Sequence, residues 1–213
     1  MRLVIGNKQK EISEKEVKKI TEGFKRVEID LGTGDGRFVF KNAVISPETL
    51  FIGIDPSEKQ LEIYSRKAVR NKLKNVLFVV GSVENLPSEL FSSANRLYIT
   101  LPWGTLLEKI VKPTKSKISE LAGILKSNGE MEIILGYSPE FEPSETKRLD
   151  LPTIDDMLMT NSIVPVFKSC GFELIKLENI NKEQLKDVET TWAKKLKFGK
   201  DRKIYRLVFK KTL

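Results

Sequence analysis

The chain has 213 residues, a formal net charge of +8 at neutral pH and no histidine. This length predicts one domain, and the positive charge favours an anionic partner such as nucleic acid. The lack of histidine excludes Ser-His-Asp and Cys-His catalysis and most catalytic zinc sites, while the single cysteine, Cys170, excludes an internal disulfide and a paired-cysteine metal site.

The hydrophobic pattern predicts a β-hairpin over residues 1–12 and then seven strands that alternate with helices. Strands are predicted at residues 26–31, 50–55, 75–82, 95–102, 130–138, 172–180 and 203–211. Helices are predicted at residues 13–24, from 37, from 56 to about 72, at 105–112, at 117–127, before Gly171 and at 186–198. Ser13 and Glu16 predict a capping box at the start of the first helix, and Asn128-Gly129 predicts the end of the helix over 117–127. This alternation predicts an α/β fold with a mostly parallel sheet and one reversed strand near its edge, which resembles the class I methyltransferase fold.

We expect residues 1–213 to form a single domain, with the hairpin as an extension and inserted segments at about 104–115 and 139–160. The N-terminus lacks the apolar region of a signal peptide, and no run of about 18 apolar residues occurs. We therefore expect a soluble cytoplasmic protein, and we expect no bound metal.

The first predicted parallel strand runs into the sequence DLGTGDGR, in which three alternating glycines are flanked by Asp30 and Asp35. A strand, a glycine-rich loop and a helix form a cradle for nucleotide-like ligands. Arg37 breaks the dinucleotide fingerprint, and two carboxylates would repel a pyrophosphate but attract an ammonium or a sulfonium group. The loop therefore favours S-adenosylmethionine as the ligand, and the alternative is a turn that uses glycine only for its positive φ.

Further candidate residues follow the other predicted strands, whose carboxyl ends meet at one edge of a parallel sheet. Asp55 can accept hydrogen bonds from both ribose hydroxyls, although it could instead cap the next helix. Val83 and Glu84 are expected beside the adenine, and Asp30 is expected to face the methionine ammonium directly or through water. The segment Thr100–Thr105 completes the predicted crevice.

The segment YITLPWGT lacks both the Asn/Asp-Pro-Pro-aromatic motif of amino-group methylation and the Pro-Cys motif of cytosine C5 methylation. A ring nitrogen with a free lone pair is therefore the expected target, and it needs positioning and desolvation but no general base. Trp103 lies in this segment and Trp192 lies in a basic stretch, so the two indoles could stack on one flipped base. The alternative is that both tryptophans belong to the core.

A run of basic residues follows Asp55 on the predicted helix. It comprises Arg66, Lys67, Arg70, Lys72 and Lys74. Positions 66, 67 and 70 share one helix face, which suggests contact with phosphates, although a solvated helix face is the simpler alternative.

Four stretches, EIDLGTGDGR, FIGIDP, PWGTLLEKIVKP and WAKKLKFGKDRK, resemble the aminoglycoside-resistance 16S rRNA methyltransferases that modify N1 of adenine 1408. The resemblance extends to the kanamycin–apramycin resistance methyltransferases and covers essentially the whole chain. It implies S-adenosylmethionine as donor, S-adenosylhomocysteine as product, and a monomeric enzyme acting on the 30S subunit at helix 44 of the decoding region. Antibiotic resistance would follow because the methylated base carries a new methyl group and a positive charge.

The resemblance also implies individual roles, with Trp103 and Trp192 stacking the flipped adenine. The predicted cofactor set is Asp30, Gly32, Thr33, Gly34, Gly36, Asp55, Pro56, Val83, Glu84, Thr100, Leu101, Pro102, Trp103, Gly104, Thr105, Thr190, Thr191 and Trp192. The predicted RNA-binding set is Arg66, Lys67, Arg70, Lys72, Glu142, Arg148, Lys200 and Arg202. Lys200 and Leu149 depart from the family pattern, which has arginine at both positions.

Three other functions remain open at this point. The first is a methyltransferase of the same fold that acts on tRNA or on another rRNA site. The second is a non-catalytic RNA-binding protein that has kept the fold. The third, a nicotinamide oxidoreductase, is disfavoured because the third fingerprint glycine is missing.

Overall fold

The structure, a computed structural model, describes residues 1–181, 183–187 and 202–212. Within these residues the strands form one sheet in the order β2-β1-β5-β4-β3-β6-β7-β9-β8. The strands are β1 Arg2–Ile5, β2 Lys8–Glu11, β3 Arg26–Leu31, β4 Thr49–Asp55, β5 Val76–Val80, β6 Ala94–Thr100, β7 Leu125–Leu135, β8 Phe172–Ile180 and β9 Ile204–Lys211. The central strands β5, β4, β3, β6 and β7 are parallel, and β9 is antiparallel to both of its neighbours.

Helices cover both faces of this sheet. They are α1 Glu14–Glu22, α2 Arg37–Ile45, α3 Glu58–Arg70, α4 Gly104–Val111, α5 Lys115–Ile124, α6 Pro143–Leu149, α7 Asp156–Leu158 and α8 Val164–Ser169, with a π turn at Met159–Ile163 and 3₁₀ turns at Ser88–Leu90 and Gln184–Asp187. Alternation along β4 explains the two layers, because Leu50 and Ile52 point to the large core under α1, α4 and α5 while Phe51 points to the smaller core under α2 and α3. No helix among the described residues is both long and apolar enough to cross a membrane.

The predicted fold class is confirmed, and the reversed strand lies near the edge as expected. The strand count differs because the predicted hairpin joins the sheet, where Leu3 of β1 pairs with Val79 of β5. The predicted N-terminal cap is also present: Ser13 Oγ accepts from the Glu16 amide, and the Glu16 carboxylate accepts from the Ser13 amide.

The predicted helix over residues 117–127 is wrong at its carboxyl end, because α5 ends at Ile124 and β7 begins at Leu125. The amides of Ser92 and Ser93 bond the carbonyls of Gly123 and Ile124, so tertiary hydrogen bonds end the helix early. The Asn128-Gly129 signal marks a different feature. Asn128 has a φ of +62° within the bulge that separates the Ala94 and Arg96 pairings.

The predicted helix before Gly171 is present as three consecutive segments, α7, the π turn and α8. Pro165 lies in the first turn of α8. Because proline has no amide hydrogen, it cannot bond the carbonyl four residues earlier, and the π turn falls on those preceding residues. The charged segment before it contains a short helix, α6, that the sequence pattern did not indicate.

The hairpin is held to α3 by one buried hydroxyl. Ser65 Oγ donates to the Val4 carbonyl at 2.7 Å and accepts from the Gly6 amide at 2.8 Å, and its side chain is almost fully buried. Substitution Ser65→Ala leaves two backbone groups without partners, so we expect the free energy of unfolding to fall by about 1–3 kcal/mol in urea denaturation.

The matched control for this substitution is Ser119→Ala, in the middle of the exposed surface of α5. It makes the same change in helix propensity and should alter stability by less than about 0.5 kcal/mol. Equal effects of the two substitutions would contradict the role of Ser65 as the anchor of the hairpin.

Candidate functional site

The glycine loop after β3 folds back onto the end of β4. The amides of Gly32 and Thr33 both donate to the Ile54 carbonyl, at 2.8 and 3.0 Å. Gly32, Gly34 and Gly36 have φ values of +79°, +60° and +77°, a region that residues with a Cβ rarely adopt. A Cβ on Gly36 would also lie 2.4 Å from the ring of Phe78. The alternating glycines are therefore required by backbone conformation and by close packing.

Asp55 joins the loop to the start of α3. Its Oδ2 accepts from the Gly34 amide at 2.8 Å, and its Oδ1 accepts from the Ser57 amide at 2.8 Å. Burial raises the pKa of this carboxyl, while the two backbone hydrogen bonds oppose that rise. A carboxylate offers about four acceptor positions, so both oxygens can still accept a hydroxyl each.

Asp30 lies underneath the loop, only 2 % exposed, and not on the wall of the crevice. Burial, reinforced by the charge of Asp55, raises the pKa of Asp30 to about 7, and the Thr33 hydroxyl partly opposes this. Among the described residues neither Asp30 Oδ2 nor Thr33 Oγ1 has a hydrogen-bond partner of normal geometry. Asp30 therefore does not face the crevice in this structure, and its contact with a ligand, directly or through water, stays a prediction.

A crevice of about 570 Å³ opens at the carboxyl ends of the central strands. It is lined by Leu31, Gly32, Gly34, Asp55, Pro56, Gly81, Ser82, Val83, Glu84, Leu101, Pro102, Trp103, Thr105 and Leu106. The charged members of this lining are Asp55 and Glu84, and the described part of the chain contributes no basic residue to it. A hydrogen bond from Thr105 lowers the pKa of Glu84, which favours its charged form. The crevice therefore suits a cation and not a phosphate.

Most of the predicted cofactor residues that the structure describes line this crevice. Thr33, Gly36 and Gly104 support the wall without lining it. Thr100 does not line the crevice in this structure, because its side chain lines a separate cavity on the other face of the sheet with Tyr98 and Glu132. Strand alternation explains this position, since Ile99 points to the core beneath α4. Thr190, Thr191 and Trp192 lie outside the described residues.

The turn after β6 forms part of the crevice wall and leads to Trp103. Leu101 has a φ of +49°, a strained value for a bulky residue, and its amide bonds the Ile134 carbonyl at 2.8 Å. Trp103 is the N-cap residue of α4 and is 39 % exposed, so its indole lies at the rim and not in the core. Sequence patterns missed Leu31 and Leu106 as wall residues, although Leu106 lies one helical turn from Trp103.

A smaller cavity of about 20 Å³ adjoins the crevice on the far side of Trp103. Arg202 and Glu142 form an ion pair there, with Nη1 and Oε1 separated by 2.7 Å, and Arg202 also donates to the Gly136 carbonyl at 3.0 Å. The guanidinium of Arg202 lies 4.8 Å from the centre of the Phe141 ring. Its Nε is buried and has no partner among the described residues. This pair of predicted RNA-binding residues therefore lies beside Trp103.

The remaining predicted RNA-binding residues lie in two places. On α3, Arg66 pairs with Glu62, and the Lys67 ammonium lies 4.1 Å from the centre of the Tyr64 ring. Arg70 and Lys72 are exposed at the end of the same helix.

Arg148, on α6, holds Glu145 through two hydrogen bonds of 2.9 and 2.7 Å. Lys200 lies outside the described residues.

The chain matches the NpmA family model, described as 16S rRNA (adenine(1408)-N(1))-methyltransferase, over residues 2–210. It is 34% identical to the Escherichia coli protein of that description, across 97% of each chain. It is 43% identical to the solved 30S ribosomal A1408 methyltransferase of an uncultured bacterium, with a TM-score of 0.79 and coverage of 99% and 100%. The aminoglycoside resistance methyltransferase NpmB1 is 32% identical, with a TM-score of 0.84 and the same coverage.

The raised pKa of Asp30 predicts a pH-dependent stability. The folded state holds this proton more tightly than the unfolded state, whose pKa is near 3.8, so Asp30 should lower stability as pH rises from about 4 to about 7. Asp30→Asn should remove this loss. The stability of the variant relative to the wild type should therefore rise by about 2–4 kcal/mol between pH 4.5 and pH 7.5, in urea denaturation without ligand.

The control is Asp35→Asn, which removes a neighbouring carboxylate that pairs with Arg37 at 3.1 Å. At pH 7.5 Asp30→Asn should raise the free energy of unfolding and Asp35→Asn should lower it. The reason is that Asp35 pairs with Arg37, whereas Asp30 has no cationic partner in the described part of the chain. A stability difference between Asp30→Asn and wild type that stays constant across this pH range would contradict the prediction.

Proposed function

The chain belongs to the 16S rRNA (adenine(1408)-N(1))-methyltransferase family, and we propose that it transfers a methyl group from S-adenosylmethionine to N1 of adenine 1408 in the 30S subunit. The single observation that carries the assignment of the crevice is that the charged residues lining it, among those that the structure describes, are both acidic and lie at the carboxyl ends of parallel strands. The donor has a sulfonium and an ammonium group, which such a lining attracts.

Each part of the crevice suits one part of the donor. Asp55 would bind the ribose hydroxyls, since both of its oxygens keep free acceptor positions. Val83 would pack on the adenine ring, with Glu84 beside it. The backbone of Gly32 and Gly34 would leave room for the methionine moiety. Leu101, Pro102 and Thr105 would surround the methyl end, and S-adenosylmethionine supplies the electrophilic methyl carbon when it is bound.

Methyl transfer to N1 of adenine requires that the base is positioned and desolvated. N1 of adenine has a lone pair at neutral pH, so no residue needs to remove a proton before methyl transfer. A chain without histidine is compatible with this reaction. Trp103 would stack on the flipped adenine at the rim of the crevice, and we assign Trp192, outside the described residues, to the opposite face of the base.

Glu142 and Arg202 are proposed to hold the flipped nucleotide beside Trp103. The adjoining cavity, at about 20 Å³, has room for about one water molecule and not for a base, so a base would lie across its mouth. The Arg202 Nε, buried without a partner among the described residues, is a donor that a nucleotide oxygen could use after a small movement. Glu142 fixes the guanidinium in place.

Docking on the subunit is assigned to Arg66, Lys67, Arg70 and Lys72, with Arg148 and Lys200 as further contacts to phosphates near helix 44. We further propose one methyltransferase domain over residues 1–213, a monomer and a location in the cytoplasm. The product base carries a positive charge and a methyl group on its pairing edge. Both should weaken binding of a polycationic aminoglycoside, which would confer resistance.

The test is primer extension across the decoding region of 30S subunits after incubation with the enzyme and S-adenosylmethionine. Methylation at N1 blocks base pairing, so the polymerase should stop at adenine 1408. Parallel radiolabelled reactions with naked 16S rRNA and with tRNA distinguish the alternative substrates. Methylation of tRNA without a stop in 30S subunits would overturn the proposal.

Trp103→Ala should lower kcat/KM for 30S subunits by about 10–100-fold, because base stacking contributes about 1–3 kcal/mol. Trp103→Phe should retain most of the activity. The dissociation constant of S-adenosylmethionine, measured by calorimetry, should change by less than about threefold in both variants, because they leave the acidic lining intact.

Phe91→Ala is the matched control, since Phe91 is another exposed aromatic residue and does not line the crevice. Its kinetics should equal those of the wild type. An equal loss of cofactor affinity and activity in Trp103→Ala would show that the indole serves the cofactor and not the base.

The docking assignment predicts a change in salt dependence. Each lost phosphate contact lowers the steepness of log K against log salt concentration by about 0.7–0.9, so loss of two contacts in Arg70→Glu with Lys72→Glu should reduce it by about 1.4–1.8. Binding to 30S subunits can be followed by filter retention at several salt concentrations.

Lys15→Glu with Lys18→Glu gives the same change in net charge on the exposed surface of α1, which packs on the other face of the sheet. This control should leave the slope near the wild-type value. Equal slopes for the two double variants would show that α3 does not contact the phosphates of the subunit.

A further inference from the structure

The helix α4 contains a buried cation that the proposed chemistry does not use. Lys109 is 8 % exposed, and its ammonium donates to the Val83 carbonyl at 2.7 Å and to Glu120 Oε2 at 2.7 Å. Burying an ammonium group is costly unless it is paired and hydrogen-bonded. Because the partner carboxylate is half exposed, the ion pair alone accounts poorly for this burial. The second bond, to a backbone carbonyl, is the feature that needs an explanation.

The carbonyl of Val83 belongs to the segment that forms one wall of the crevice after β5. The Gly81 amide bonds the Asp55 carbonyl, and the Asn85 amide bonds the Ser82 carbonyl, so the two ends of the segment are fixed by backbone hydrogen bonds. Lys109 fixes the middle of the segment from behind. Val83 is 4 % exposed and lines the crevice with Glu84.

A second residue of the same face of α4 also acts on this wall. Thr105 lies one helical turn before Lys109 and lines the crevice with Glu84, and its hydroxyl lowers the pKa of that carboxyl. Two consecutive wall residues, Val83 and Glu84, are therefore influenced by two residues of one helix face, and the hydrogen bond from Lys109 holds the first of them. The position of this wall depends on α4, whose N-terminus carries Trp103.

We propose that Lys109 is a positioning residue for the cofactor, which holds Val83 and Glu84 at the distance from the glycine loop that the adenosyl group requires. The inference rests on the proposed function, since it assigns a role within the S-adenosylmethionine site. Lys109 acts through the Val83 carbonyl and does not contact the cofactor.

The experiment compares Lys109→Met with the wild type in steady-state methylation of 30S subunits and in calorimetric binding of S-adenosylmethionine and S-adenosylhomocysteine. Methionine fills similar space but cannot donate to Val83. We expect the KM for S-adenosylmethionine and both dissociation constants to rise about tenfold, since a hydrogen bond from a charged donor is lost. The kcat at saturating cofactor and the KM for 30S subunits should stay within twofold.

This pattern separates positioning from a purely structural role. A loss of folded enzyme lowers kcat and leaves the KM for the cofactor unchanged. Lys109→Arg, which retains a charged donor, should restore at least part of the cofactor affinity. Should Lys109→Met fail to fold, Lys109→Leu provides the same comparison, because leucine also cannot donate a hydrogen bond to Val83.

Two matched controls come from the same region. Lys112→Met makes the same substitution three residues later, at the C-cap of α4, where the ammonium donates to the Leu149 carbonyl at 2.8 Å and not to the crevice wall. Glu120→Gln removes the charged partner of Lys109 but leaves its bond to Val83 intact. Both should keep the wild-type KM for S-adenosylmethionine.

The outcomes distinguish this inference from the proposed function. If the wild type neither binds S-adenosylmethionine nor methylates 30S subunits, the proposed function fails. If the wild type does both, and folded Lys109→Met or Lys109→Leu keeps the wild-type KM and dissociation constants, the role of Lys109 alone is overturned. A rise in KM that Lys112→Met reproduces would also overturn it.

Discussion

The carboxylate of Asp55 connects the two loops on which the crevice depends. One oxygen accepts the Gly34 amide and the other accepts the Ser57 amide, so the same group fixes the glycine loop and starts α3. A Cβ added to Gly36 would lie 2.4 Å from the ring of Phe78, so either that ring or the loop would have to move. The two hydrogen bonds of Asp55 thus hold both the glycine loop of the crevice and the start of α3, the helix that carries the basic surface.

The acidic residues at the site lower the stability of the protein when no ligand is bound. Asp30 and Asp55 lie close enough for the charge of one to raise the pKa of the other, and Asp30 lacks a hydrogen-bond partner for one oxygen among the described residues. A ligand with an ammonium and a sulfonium group would reduce this repulsion on binding. The same charges would oppose a phosphate-bearing coenzyme, which gives the crevice selectivity before any specific contact is made.

Local sequence signals predicted the parts of the fold that local physics controls. The capping box at Ser13 and Glu16, the alternation in β4 and the glycine loop all specify short-range geometry. The end of α5 could not be predicted in this way, because two hydrogen bonds from Ser92 and Ser93 decide it. The role of Lys109 depends equally on a contact between distant segments.

The direction of the Thr100 side chain could be predicted in part from the sequence. Strand alternation places Thr100 opposite Ile99, so its side chain belongs to the other face of the sheet. The return of the chain to the crevice depends on the left-handed conformation of Leu101, for which a leucine gives no sequence signal. The segment that contains Trp192 lies outside the described residues, so the second indole remains a prediction.

The reversal of β9 has a consequence for how such an enzyme could change its substrate. Because β9 is antiparallel to β7 and β8, the end of β8 at Ile180 and the start of β9 at Ile204 pair beside the crevice edge. The connection between these strands therefore begins and ends at the carboxyl edge of the parallel strands. Its length and composition can vary during evolution while the strand order stays the same, so new target recognition can arise without a new topology.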